Sequence, residues 1–229
     1  MSKFKDLIVL LYNMVLEISI KNNFDEKSIF FEIGSHFGTD TSNLLKTTKK
    51  IHCFEPDPRN IEVFKGLNLP LILNELAVSN ADGESEIYLS SGNVYDSPYG
   101  PTDNNFINSR DWSASSSIKK PKNHLIKTPW VKFEKRLMVK TTRIDTYCEK
   151  NNIDRIDFLW MDTQGSELDI IDGMGKFKEK IEYIYSEYSN EELYEGQGNK
   201  IQILDSLGEN WEIIFDFGND ILLKNKKIR

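Results

Sequence analysis

An apolar run, Phe30 to Ile33 interrupted by Glu32, breaks into a turn bounded by two glycines, Gly34 and Gly38. A second apolar run, Ile51 to Phe54, ends in an acid, Glu55, 21 residues after Gly34. A strand, a glycine turn, a crossover helix and a second strand ending in an acid build the crevice in which open α/β sheets hold nucleosides. The glycines admit close backbone approach, and the acid accepts hydrogen bonds from ribose hydroxyls. With 229 residues the chain has material for one sizeable α/β domain and too little for two.

The turn chemistry narrows the nucleoside. A pyrophosphate-binding turn uses G-x-G-x-x-G so that backbone N–H groups face the phosphates. Here Ser35, His36 and Phe37 stand between the two glycines, and the bulky His36 and Phe37 fill the space of a diphosphate. Glu32 adds a carboxylate, which repels phosphate and suits a cation. S-adenosyl-L-methionine, with a cationic amino group and sulfonium, fits this turn better than a nicotinamide dinucleotide.

Strands alternate with helices along the rest of the chain, the pattern of a parallel doubly wound sheet. Expected strands are Ile29–Ile33, Lys50–Phe54, Leu69–Leu73, Glu84–Leu89, Ile156–Met161 and Ile181–Ser186, with a closing pair at Trp211–Phe217 and Ile221–Lys224. Residues 131–140 read as an extended pair. Expected helices are Thr39–Lys46, capped by Thr39 or Asp40, one opening at Pro58, a short one over 143–148, Glu167–Met174 and Ile201–Leu207. Residues 90–130 form an inserted region. Its Gly-, Ser-, Asn- and Pro-rich part carries Tyr95, Tyr99, Phe106 and Trp112 and is far longer than the usual connection of about four to six residues. It reads as a lid over the acceptor, with aromatic faces suited to sugar or polyol rings.

Residues 1–24 repeat apolar positions at Phe4, Leu7, Ile8, Leu11, Val15 and Ile18, the spacing of an amphipathic helix. Such a helix packs on the domain or on a second subunit of a homo-oligomer, and is too short and polar to span a bilayer. A net charge of −7 argues against a nucleic-acid partner. Lys119, Lys120, Lys122 and Lys127 cluster, which reads as a solvated face. Two cysteines, Cys53 and Cys148, are too few for a disulfide framework and fit a reducing cytoplasm.

Several blocks in order resemble the FkbM-type S-adenosylmethionine-dependent methyltransferases. They are Phe31-Glu32-Ile33-Gly34 with Gly38, Phe54-Glu55-Pro56 with Pro58, Asn74 with Ala77-Val78-Ser79, and Ser115-Ser116-Ser117. Further along come Arg143-Ile144-Asp145, Met161-Asp162-Thr163-Gln164-Gly165-Ser166-Glu167, and Glu187-Tyr188-Ser189 with Leu193-Tyr194-Glu195-Gly196. The family's first motif more often has Asp, Ala and Asn where this chain has Glu32, Ser35 and His36. The resemblance implies a mainly parallel, seven-stranded class I methyltransferase sheet with helices on both faces, and O-methylation of a sugar, glycan or related polyhydroxylated acceptor.

It also implies site roles. Glu32, Gly34, Ser35, His36, Phe37, Gly38 and Thr41 would surround the methionine part, Glu55 and Pro56 the ribose, and Asn74, Ala77 and Val78 the adenine edge. Asp162 leads as general base, with Gln164 beside it; in an alternative role Asp162 and Glu187 bind Mg2+. His124 is a second candidate base, whereas His52 reads as a core histidine. Tyr95, Tyr99, Trp112, Ser115 and Ser116 are candidate acceptor contacts. The competing reading is a catalytically silent cofactor-binding module that serves a partner.

Overall fold

The computed structural model describes residues 23–97 and 111–228. The expected N-terminal helix, Tyr99 and Phe106 therefore lie outside the described residues. Strands β1 (Ile29–Ile33), β2 (Lys50–Phe54) and β3 (Ile72–Asn74) are followed by β4 (Ala77–Val78), β5 (Gly83–Ser91) and β6 (Lys132–Thr142). Then come β7 (Ile156–Met161), β8 (Ile181–Glu187), β9 (Trp211–Asp216) and β10 (Asp220–Asn225). The helices are α1 (Thr39–Leu44), α2 (Pro58–Gly66), α3 (His124–Lys127), α4 (Ile144–Lys150), α5 (Glu167–Gly173) and α6 (Lys200–Leu207).

Seven strands form one sheet in the order β3-β2-β1-β7-β8-β10-β9. The first five run parallel, and β10 lies antiparallel between β8 and β9. Burial on both faces explains why β1 and β7 read as near-continuous apolar runs. Phe31, Ile33, Leu159 and Met161 pack against Ile144 and Tyr147 of α4, Ile170 and Ile171 of α5, and Ile203 of α6. On the opposite face Phe30, Ile51, Cys53 and Phe158 meet Leu44 of α1 and Phe64 of α2. Strand order reverses between β1 and β7, so the crevice beyond their carboxyl ends is where a ligand of an open α/β sheet sits.

Three local expectations change. The third strand starts at Ile72, because Pro70 has no N–H for the ladder. Residues 131–140 are not a pair: β6 is a single strand antiparallel to β5, and with β4 it forms a separate three-stranded sheet, order β4-β6-β5. The N-cap of α1 is Gly38, in a left-handed conformation with no side-chain cap, so neither Thr39 nor Asp40 performs that role. In α2 the sequence signal is realised: the Asp57 side chain accepts from Arg59 N and Pro58 occupies the first turn.

Candidate active site

The site starts with a collision avoided. At Gly34, φ is +86°, and a Cβ there would lie 1.8 Å from the carbonyl oxygen of Asp162. Only glycine lets β1 and β7 approach this closely as they end, with Asp162 N donating to Ile33 O at 3.1 Å. Gly34 N and Ser35 N both donate to Phe54 O, which ties the turn to β2. The chain then passes through His36 at φ 48°, a left-handed conformation uncommon for a side-chain-bearing residue. His36 N donates to Glu55 Oε2 at 2.8 Å, and its ring Nε2 meets Ser113 Oγ at 2.9 Å.

A cavity of about 180 Å³ opens beyond this turn. Its wall includes Glu32, Gly34, Ser35 and His36 from the turn, Glu55, Pro56 and Asn60 from β2 and α2, and Leu76, Ala77 and Val78. Asp162, Thr163, Gln164 and Ser166 close the β7 side. Glu32, Asp40, Glu55 and Asp162 all line it, whereas no Lys or Arg is among the described lining residues. Burial pushes Glu32 up to about 8, against a hydrogen bond from Thr41 and with Asp40 and Asp162 adding repulsion. Burial likewise raises Glu55 to about 7, opposed by the hydrogen bond from Asp57 N. A positively charged ligand relieves this crowding, and a phosphate worsens it.

Glu55 is held by His36 N, by Asp57 N at 2.8 Å and by Asn60 Nδ2 at 3.3 Å. Two buried side-chain atoms among the described residues have no hydrogen-bond partner, Asn60 Oδ1 and Ser166 Oγ, and both residues line this cavity. Buried polar atoms are nearly always satisfied, so these two oxygens are candidates to meet a polar ligand.

At the β7 end, Gln164 adopts φ 56° and its amide nitrogen donates to Asp162 Oδ1 at 2.9 Å and to Glu187 Oε2 at 3.1 Å. Tyr194 OH donates to Ser115 O at 2.8 Å and reaches Gln164 Oε1 at 3.3 Å, which fixes the amide's orientation. Asp162 is exposed; Glu187 is half-buried, and burial, then Asp162, Glu167 and Asp220, drive its carboxyl well above the usual range. Asp220, opposite Glu187 in the β8–β10 ladder, is raised to about 7 by burial and by Asp162. Asp162 is no helix cap: the N-cap of α5 is Ser166, and Thr163 donates to Glu167 instead.

The returning limb of the insertion forms the roof. Ser113, Ala114, Ser116 and Ser117 line the cavity. Arg59 pins this limb, bonding Asp57 at 2.6 Å, Asp111 at 3.2 Å, Ser90 O at 2.9 Å and Ser116 Oγ at 3.3 Å. The lysines expected to form a solvated face are paired: Lys119 with Asp169, Lys120 with Glu195, Lys122 with Glu192 and Lys127 with Glu191. They staple the limb to α5 and to the segment after β8.

Several candidate side chains stand behind the wall rather than on it. Asn74 lies between Cys53 O (2.9 Å) and Tyr147 OH (3.0 Å), and the Tyr147 hydroxyl also meets His52 Nδ1. Thr41 donates to buried Glu32. Phe37 packs with Val94, Trp112 and Ala114, and the position of Gly38 abuts the Phe64 ring. His124 is buried, with Nε2 on Ser115 Oγ and Nδ1 on Thr128 Oγ1, and burial lowers its basicity. Ser115 Oγ also accepts from Trp112 Nε1, so His124, Ser115 and Trp112 form a brace under the roof. Tyr95 is exposed. Asn60, Ser113, Trp160 and Ser166, not singled out from the sequence, are on the wall.

The family model of the methyltransferase FkbM domain matches residues 32–221. Among curated proteins, 2-O-methyltransferase NoeI from Sinorhizobium fredii (strain NBRC 101917 / NGR234) is 35% identical over 209 residues, covering 87% of this chain and 80% of that protein. Among solved structures, the methyltransferase FkbM from Methylobacillus flagellatus KT aligns with TM-score 0.50 and 12% identity over 88% of this chain. This chain spans 44% of that structure, and at such identity the likeness concerns the fold alone.

Proposed function

The chain belongs to the FkbM family of S-adenosylmethionine-dependent methyltransferases, and on that basis we propose that it O-methylates a hydroxyl of a sugar, glycan or similar polyhydroxylated small molecule. The observation that carries the reading is Asp162 on the wall of an acid-lined cavity, its carboxylate bonded by the Gln164 amide, which also reaches Glu187. When bound, the cofactor supplies an electrophilic methyl on a sulfonium. Gly34 and the turn to His36 admit it, the acid-lined wall compensates its charge, and Glu55 with Pro56 receives the ribose. Asp162 takes the proton of the acceptor hydroxyl, and Gln164 holds that carboxylate in place.

The O-methyl assignment draws on the 35% identity to a 2-O-methyltransferase. The polyhydroxylated class draws on the serine-rich roof, where Ser113, Ser116 and Ser117 line the cavity. The insertion over residues 90–130 acts as the lid, and the whole chain functions as one methyltransferase domain. No described helix is long and apolar enough to cross a membrane. Two buried free thiols suit a reducing cytoplasm.

The donor set does not suit Mg2+. The Gln164 amide N–H occupies one oxygen of Asp162 and one of Glu187. Among the described residues no three His, Cys, Asp or Glu converge to hold a cation. No step is therefore routed through a metal.

The test combines labelled methyl transfer from the cofactor to a panel of glycosyl acceptors with calorimetric titration by S-adenosylhomocysteine. Wild type is expected to label a sugar hydroxyl. Asp162→Asn is expected to lose about 10²–10⁴-fold in turnover while its affinity for S-adenosylhomocysteine changes less than about threefold. Tight cofactor binding without turnover on any acceptor would favour the silent binding module.

A further inference from the structure

We propose that Asn60 is a ribose-reading residue, its side-chain carbonyl accepting one of the two ribose hydroxyls of the cofactor while Glu55 accepts the other. The inference rests on the cofactor reading above and adds to it a residue and a selectivity. Asn60 is 2% exposed and lines the cavity, and its Nδ2 donates to Glu55 Oε1 at 3.3 Å. That bond orients the amide, leaving Oδ1 as an acceptor that nothing among the described residues satisfies.

The chemistry of the missing partner follows from the acceptor's surroundings. Oδ1 needs a donor, so a ligand carboxylate, phosphate or ring nitrogen does not serve. Glu55 beside it already receives two backbone N–H groups and the Asn60 amide, three of about four lone-pair sites. It has room for about one further donor. Two hydroxyls on adjacent carbons present two neighbouring donors, one for Glu55 and one for Asn60. An unsatisfied buried acceptor is costly, so a ligand lacking the matching hydroxyl is selected against.

The roles of Asn60 and Glu55 separate in a calorimetric cycle. Wild type and Asn60→Ala are titrated with S-adenosylhomocysteine and with its 2′-deoxy and 3′-deoxy analogues. Wild type is expected to bind each deoxy analogue about tenfold or more weakly than the parent. In Asn60→Ala one of those penalties disappears and the other, owed to Glu55, persists. Both penalties persisting in Asn60→Ala would overturn the proposal and leave Asn60 as a brace for Glu55. Wild type alone also decides the matter, because equal affinity for the parent and either deoxy analogue overturns it whether or not the variant folds. Failure of wild type to bind S-adenosylhomocysteine at all would instead remove the cofactor reading, and this inference with it.

Discussion

Glu32 shows how one buried carboxyl links stability to ligand charge. Its folded-state value of about 8 lies above the ordinary carboxyl range, so between pH 4.5 and 8 the folded chain binds more protons than the unfolded one. Stability from this group is present below the ordinary value and is lost as pH rises through about 8. Glu55, raised to about 7, acts in the same direction. The ligand-free protein is therefore expected to melt a few degrees lower at pH 8.5 than at pH 5.5, read by calorimetry. Glu32→Gln keeps an acceptor for Thr41 and is expected to reduce the stability lost between pH 5.5 and pH 8.5 by roughly 1–2 kcal/mol; an unchanged slope would show that Glu32 is ionised in the folded chain over this range, as it is in the unfolded one. Gly34→Ala makes a harsher test at the same turn. Its methyl would collide with the Asp162 carbonyl in a left-handed conformation, and a loss above about 3 kcal/mol is expected in denaturant unfolding.

At the level of elements, the roof depends on Arg59. This residue joins α2 to Asp111, Ser90 and Ser116 of the insertion and neutralises the fully buried Asp57. Arg59 is itself one-third exposed, so removing it is expected to cost about 1–3 kcal/mol rather than the full penalty of an isolated buried charge. Arg59→Met is expected to speed proteolysis within residues 111–117 and to raise the acceptor KM, with affinity for S-adenosylhomocysteine changed less than about threefold. Protection equal to wild type would mean that the roof is held by the lysine–glutamate staples alone. Local signals were legible in the sequence here: the Asp57-Pro58 helix start, the glycine turn and the acid at Glu55 all announce themselves through backbone chemistry. What the sequence hid is tertiary. The withdrawal of β5 and β6 into their own sheet depends on pairing across 41 or more residues, as in Ser91 with Lys132. His124 and Asn74 carry reactive or ligand-like groups, yet packing turns both inward, and no local spacing reports that. Asn60, in the first turn of α2, and Ser166, the N-cap of α5, look like ordinary helix-start residues until the fold leaves their oxygens unsatisfied at the cavity.

Across the whole molecule, four of the five parallel strands, β1, β2, β7 and β8, bring Glu32, Glu55, Asp162 and Glu187 to the carboxyl end of the sheet, where Glu32 and Glu55 line a cavity as raised-pKa acids. This sets a charge preference that ordinary affinity measurements overlook, because S-adenosylmethionine carries a sulfonium charge that S-adenosylhomocysteine lacks. Below about pH 6 Glu32 and Glu55 are mostly protonated, and the two ligands gain little from each other's difference. Above about pH 8 both acids ionise, their mutual repulsion grows, and only the cation relieves it. A ligand at 100 times its Kd stabilises the folded chain by about 2.7 kcal/mol, or roughly 5–10 °C for a chain of this size, so thermal shifts resolve the effect. The shift produced by S-adenosylmethionine minus that produced by S-adenosylhomocysteine is expected to widen from pH 6 to pH 8.5. In Glu32→Gln the widening should shrink. A difference constant with pH would mean that these carboxyls do not sense the sulfonium, and the acid-lined wall would then serve only to exclude phosphate-bearing nucleotides.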